Sequence, residues 1–132
     1  PSNPGTSKFF NRDVVGKLEP TIHQPIVISM SCDTAPFAHP SADSLGETML
    51  LNGDRGAVAF IGASAPLFTP PRFGELLVRE LLKDRTLGDA FVAAKRRIGR
   101  ASISNLYNLL GDPALPLATL SPQEPDSRAE KQ

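Results

Sequence analysis

Pro25-Ile-Val-Ile-Ser-Met-Ser-Cys32 runs directly into Asp33-Thr34-Ala35-Pro36. Ile26, Val27, Ile28 and Met30 make a short apolar run between a proline and a polar turn. A parallel strand covered on both faces has this pattern. The strand is expected to end on Cys32, the only cysteine of the chain. In open α/β sheets the ligand crevice lies beyond the carboxyl ends of the strands, which is where that thiol would stand. A lone thiol there is a candidate nucleophile. It reads equally well as a small buried hydrophobe, and position alone decides for neither.

Working outward, Ser44 with Glu47 three residues on forms a capping box, and a helix to Leu51 follows. Asn52-Gly53-Asp54 ends it. Gly56-Ala-Val-Ala-Phe-Ile-Gly62 then reads as a second buried strand. A helix between two such strands predicts a right-handed parallel crossover, with strands 25–31 and 56–62 adjacent in one sheet. Upstream, Asn11 caps a helix over Arg12 to Leu18, and Glu19-Pro20 stops it. Downstream, a proline-rich loop from Ala63 leads to Pro71, well suited to a first helical position. Phe73, Leu77 and Leu81 share one face of that helix, with Leu76 and Glu80 also at helical spacing. Thr86 caps another helix, Leu87 to Ile98, with an apolar face of Leu87, Phe91, Ala94 and Ile98. Its basic end (Lys95, Arg96, Arg97) is expected to be a solvated last turn, not a phosphate site. The stretch 105–117 is expected to turn at Gly111-Asp112-Pro113 and return as a short strand. Residues 1–8 read as loop and the residues from Ser121 as a disordered tail, giving one domain over 1–120 and a tail over 121–132.

A chain of 132 residues with 40% hydrophobic content fits one domain with a modest core. Fourteen basic and fourteen acidic residues cancel, so charge favours neither nucleic acid nor an anionic membrane as partner. One cysteine excludes an internal disulfide framework. These 132 residues hold no apolar run long enough to span a bilayer and no signal-peptide pattern. A nucleotide-binding doubly wound domain ranks last, because the sequence has neither G-x-G-x-x-G nor a phosphate-loop lysine pattern. No cofactor or metal is expected. The opening Pro1-Ser-Asn-Pro-Gly reads as the middle of a loop, so a fragment or processed piece is expected.

Several stretches together resemble the gingipain-type cysteine peptidases, which have the caspase-like fold. They are Pro25 to Cys32, Phe37-Ala-His-Pro40, Asp43-Ser-Leu-Gly-Glu47, Gly56 to Gly62, Thr86-Leu-Gly-Asp-Ala90 and Leu109-Leu-Gly-Asp-Pro113. The resemblance covers about residues 9–118, and its order and spacing carry more than any single match. It implies an α/β, three-layer, caspase-like fold with a mostly parallel central sheet, present here as its C-terminal portion. It implies a peptide or protein substrate, with Cys32 as nucleophile and the Cys32 backbone N–H as an oxyanion donor. It also implies a catalytic histidine in a His-Gly pair at the end of the preceding strand. No His-Gly pair occurs in this chain. The expected partner is therefore the upstream half of the same catalytic domain, carrying that pair before Pro1. A second departure is Ala35, where the family usually has glycine. Cys32-Asp33-Thr34 also resembles related caspase-like domains found beside helical repeats.

Cysteine proteolysis needs a thiolate, a base to generate it, and donors for the tetrahedral oxyanion. His23 precedes the strand that Cys32 ends, which separates them by roughly 25–30 Å, far beyond hydrogen-bond reach. His39 reads as a loop residue. The loop Ser64, Ala65, Pro66, Leu67 and Phe68 leaves the same sheet edge as Cys32 and is expected, with Asp33, to bind substrate. The resemblance implies cleavage after Arg or Lys, which calls for a carboxylate in the pocket. That loop holds no acid, so the carboxylate comes from the upstream half, from Asp33 or from Glu75, or else the enzyme prefers an apolar residue. The alternative to an endopeptidase is a catalytically inactive caspase-like module used for binding or assembly.

Overall fold

A computed structural model describes residues 11–38, 40–66, 71–83, 85–99 and 105–117. The expectations for residues 1–8, His39, Leu67, Phe68 and the tail fall outside them. In chain order the elements are α1 (Arg12–Val15), β1 (Ile26–Ile28), α2 (Leu45–Leu51), β2 (Ala59–Ala63), α3 (Pro71–Leu81), α4 (Leu87–Ile98) and β3 (Tyr107–Gly111). The sheet order is β1-β2-β3. β1 and β2 are parallel, with Val27 opposite Phe60, and β3 runs antiparallel to β2, with Leu109 opposite Ile61. The two strands read from the sequence are thus adjacent and parallel, with α2 crossing between them.

Side-chain alternation along the strands builds three layers. Ala59, Ile61 and Ala63 of β2 face one way, with Ile26, Ile28, Tyr107 and Leu109, and pack against Phe73, Leu77 and Leu81 of α3 and Leu87, Phe91 and Ala94 of α4. Phe60 faces the other way with Val27 and Leu110, against Val15 of α1 and Met49 of α2. The Phe73 and Tyr107 rings meet at 4.5 Å between centroids, tying α3 to β3. Each large side chain buried this way stabilises the fold by about 1.5–3 kcal/mol relative to exposure.

The caps follow the sequence. Ser44 Oγ accepts from the Glu47 amide at 3.2 Å, while the Ser44 amide donates to Glu47 Oε2 at 2.7 Å. Hydrogen bonding to the carboxylate by the Ser44 backbone amide, and next by the Ser44 side chain, holds the Glu47 carboxyl below its ordinary value. Thr86 Oγ1 likewise accepts from the Asp89 amide at 3.2 Å.

Four expectations are corrected. The first helix closes at Val15 instead of Leu18, with only single turns beyond it. β1 stops at Ile28, short of Cys32, because the chain leaves the ladder after the Ser29 amide has bonded the Ile61 carbonyl. The strand in the stretch 105–117 ends on Gly111 instead of following the turn; beyond it, among the described residues, only Pro116 bridges, to Thr86. The basic end of α4 is not simply solvated. Arg97 Nη1 lies 3.1 Å from Glu80 Oε1, and Lys95 Nζ sits 4.6 Å from the centre of the Phe91 ring. Glu80 itself is only 1% exposed, and it also pairs with Lys83 at 2.6 Å and Arg85 at 2.9 Å. The Lys83 hydrogen bond, with the charges of Arg97, Lys83 and Arg85, holds its carboxyl below the usual range against the opposing effect of burial. A buried carboxylate needs such partners to remain charged.

Candidate active site

The hydrogen bonds between β1 and β2 define how Cys32 is presented. Ser29 donates to the Ile61 carbonyl at 2.8 Å. In a regular parallel ladder the amide two residues on, that of Ser31, would serve the Ala63 carbonyl. Ala35 takes that place instead, at 2.9 Å. Four residues, Ser31 to Thr34, are thereby looped out of the sheet at its carboxyl edge, carrying Cys32 and Asp33. Cys32 is exposed, which rules out the reading as a buried hydrophobe. Asp33 is left-handed at φ 56°, the one non-glycine residue with positive φ among the described residues. Such a conformation persists where the surroundings enforce it.

Several contacts enforce it here. Thr34 Oγ1 donates to the Ser31 carbonyl at 3.3 Å, closing the turn from inside. The Thr34 carbonyl accepts from the Gly46 amide in the first turn of α2 at 3.0 Å. Met30, just before the turn, packs against Gly74 of α3, where a Cβ would come within 3.3 Å of the methionine methyl. The turn is therefore held between the helices on either side of the sheet.

Ser64, Ala65 and Pro66 leave β2 at the edge where Ala35 rejoins it, so they and the Cys32 turn emerge side by side. Both the amide and the hydroxyl of Ser64 donate to the Leu106 carbonyl, at 2.8 and 3.1 Å, which anchors the loop's root to the start of β3. Asp33 is exposed beside Cys32 and lines a cleft of about 420 Å³ with Arg12, Asp43 and Ser44. Glu75 is exposed on α3. His23 is not brought to this edge. It lies before β1, exposed, in a local turn with Thr21, and lines an apolar groove of about 790 Å³ with Ile22, Pro25, Ile26 and Leu82. That groove does not include Cys32. Among the described residues no group of His, Cys, Asp and Glu could hold a metal ion, and no helix is long and apolar enough to cross a membrane.

The model of peptidase family C25 matches residues 3–118. The chain belongs to peptidase family C25, the gingipain family. Family C25 membership makes it a cysteine peptidase in general terms, a hydrolase with a caspase-like α/β architecture. No curated protein and no solved structure matches the chain. Within this family C25 chain, sequence reasoning passed over Thr34, Gly46 and Gly62, which meet around the turn. The available signal was glycine inside a strand pattern at position 62, which marks close approach of another backbone.

Proposed function

We propose that the protein is a cysteine endopeptidase in which Cys32 is the nucleophile. The single observation that carries this reading is the four-residue excursion that presents Cys32, exposed, beyond the carboxyl end of β1 in a family C25 fold. The Cys32 thiolate attacks the scissile carbonyl carbon, forming a C–S bond, and the oxyanion is met by the Cys32 backbone N–H. Collapse breaks the C–N bond, and a histidine delivers the proton it took from the thiol to the departing amine. Water then hydrolyses the thioester and restores the thiol. His23, at the far end of β1, is not that histidine. The reading assigns the role to a His-Gly pair upstream of Pro1, on the other half of the same catalytic domain. It assigns substrate contact to Asp33 and to the loop Ser64, Ala65, Pro66, Leu67 and Phe68, with cleavage after Arg or Lys and Asp33 the acid nearest Cys32 in sequence.

The test is to treat the chain, joined to its upstream half, with a peptidyl chloromethyl ketone ending in Arg and another ending in Leu. The expected result is stoichiometric labelling of Cys32 by the Arg reagent, with turnover lost in Cys32→Ala. Faster labelling by the Leu reagent overturns the basic preference. Absence of labelling by either reagent overturns the peptidase reading and leaves an inactive binding or assembly module.

A further inference from the structure

We propose that Thr34, seated against the bare Cα of Gly62, is the positioning residue of the Cys32 turn. The proposal rests on Cys32 being the nucleophile and adds what sets the place of its thiol. The excursion Ser31–Thr34 has two fixed feet, the Ser29 and Ala35 amides on β2, and between them it needs something to hold its shape. Thr34 holds it at three points. Its hydroxyl closes the turn on the Ser31 carbonyl at 3.3 Å, across Cys32 and Asp33. Its carbonyl receives the Gly46 amide at 3.0 Å, fixing the turn to the first residues of α2. Its Oγ1 also occupies the space above Gly62, where a Cβ would lie 2.7 Å away. The same Cβ would meet the Phe60 ring at 2.7 Å and Ala35 Cβ at 3.2 Å. Gly62 is thus the seat of the turn, and a side chain there would push Thr34 outward.

The hydroxyl and the seat act on Cys32 through the backbone of the turn. Thr34 sits two residues past the nucleophile, so a small tilt of the turn moves the sulfur relative to the substrate carbonyl without changing its chemistry. Misplacement of a reacting group by about 1 Å costs on the order of 100-fold in rate. Thr34→Val keeps the shape and removes the hydroxyl; Thr34→Ser keeps the hydroxyl and removes a methyl.

The experiment measures peptide turnover by the joined catalytic domain, alkylation of Cys32 by iodoacetamide, and amide exchange at Ala35. Thr34→Val is expected to lower kcat by about tenfold or more, with KM within about twofold. Thr34→Ser retains most of the wild-type kcat. Iodoacetamide, which needs no oriented substrate, reacts with Cys32 in Thr34→Val at close to the wild-type rate, and the Ala35 amide exchanges faster because its foot on Ala63 is loosened. Gly62→Ala lowers kcat in the same way; if it fails to fold because of Phe60, the Thr34 pair carries the test. Wild-type kcat in Thr34→Val, an equal loss in Thr34→Ser, or unaltered exchange at Ala35 overturns the positioning role. Undiminished turnover in Cys32→Ala overturns the underlying assignment of Cys32 as nucleophile instead, so the two failures are distinguishable.

Discussion

Gly46 is the second residue of α2, and alanine there should destabilise the protein although alanine is the better helix former. The intrinsic gain from Gly to Ala inside a helix is about 1 kcal/mol, and it is smaller in a first turn. Against it stands a Cβ placed 2.8 Å from Phe60 Cδ1 and 2.9 Å from Leu110 Cδ1. Leu110 is half-buried and its methyl can swing aside. Phe60 is fully buried and its ring cannot. Overpacking of this kind costs about 1–3 kcal/mol, so against a gain below about 1 kcal/mol the net change is a loss of up to about 2–3 kcal/mol. In a Phe60→Leu background, itself costing on the order of 1–2 kcal/mol, the ring edge is gone and the propensity gain should emerge. The two substitutions should therefore couple by about 1–3 kcal/mol, with Gly46→Ala changing sign between backgrounds. Urea unfolding of the four proteins, read as midpoint shifts at constant slope, measures this. The reasoning fails if Gly46→Ala stabilises the wild type by the full propensity gain. It also fails if the four stabilities add to within about 0.3 kcal/mol.

Other expectations follow from the ion cluster, the caps and the histidines. Glu80, with its carboxyl held below the ordinary value of 4.5, binds fewer protons folded than unfolded. Its contribution is therefore complete above that value and is lost as pH falls through the depressed folded value. Thermal unfolding should show Glu80→Gln less stable than wild type at pH 7, with the gap closing in acid; a gap that persists at pH 2 would contradict this assignment. Ser44→Ala removes the side-chain half of the capping box and should cost about 1 kcal/mol in urea unfolding, with Ser44→Asp recovering most of it. In the joined catalytic domain, His23→Ala should leave peptide turnover within about twofold, since His23 stands at the wrong end of β1 to reach a group at hydrogen-bond distance from Cys32. A loss beyond tenfold in a folded His23→Ala protein would require a different pairing for the thiol.

Local rules carried much of this fold into the sequence. The capping box at Ser44, the cap at Thr86 and the apolar face of Phe73, Leu77 and Leu81 depend on residues three or four apart, and each appears where the pattern puts it. The paired parallel strands were legible because both are continuous apolar runs around a capped helix. The turn that presents Cys32 was not legible, because its four looped-out residues are defined only by which amide reaches Ala63. Glu80 was visible as a helical position, but its burial depends on Arg85 and Arg97, brought to it by the packing of α3 on α4. β3 was displaced for a related reason. Gly111-Asp112-Pro113 marks a turn equally well from either side, and only pairing with β2 decides that the strand precedes it.

The sheet joins segments that lie far apart along the chain. β1 meets β2 only across the whole of α2, and β2 meets β3 only across α3 and α4 together. By contrast, α3 and α4 are joined by a short connection and pack directly on each other. Contacts between distant segments require loop closure before they are rewarded, so they form late. The helical pair is therefore the natural early structure in folding, and the turn around Cys32, which needs Ser29 and Ala35 both seated on β2, is among the last parts to settle. Pulsed alkylation during refolding reads this order, with helical signal returning before the reactivity of Cys32 reaches its native value. A thiol placed by late contacts remains without its native surroundings for most of the folding time.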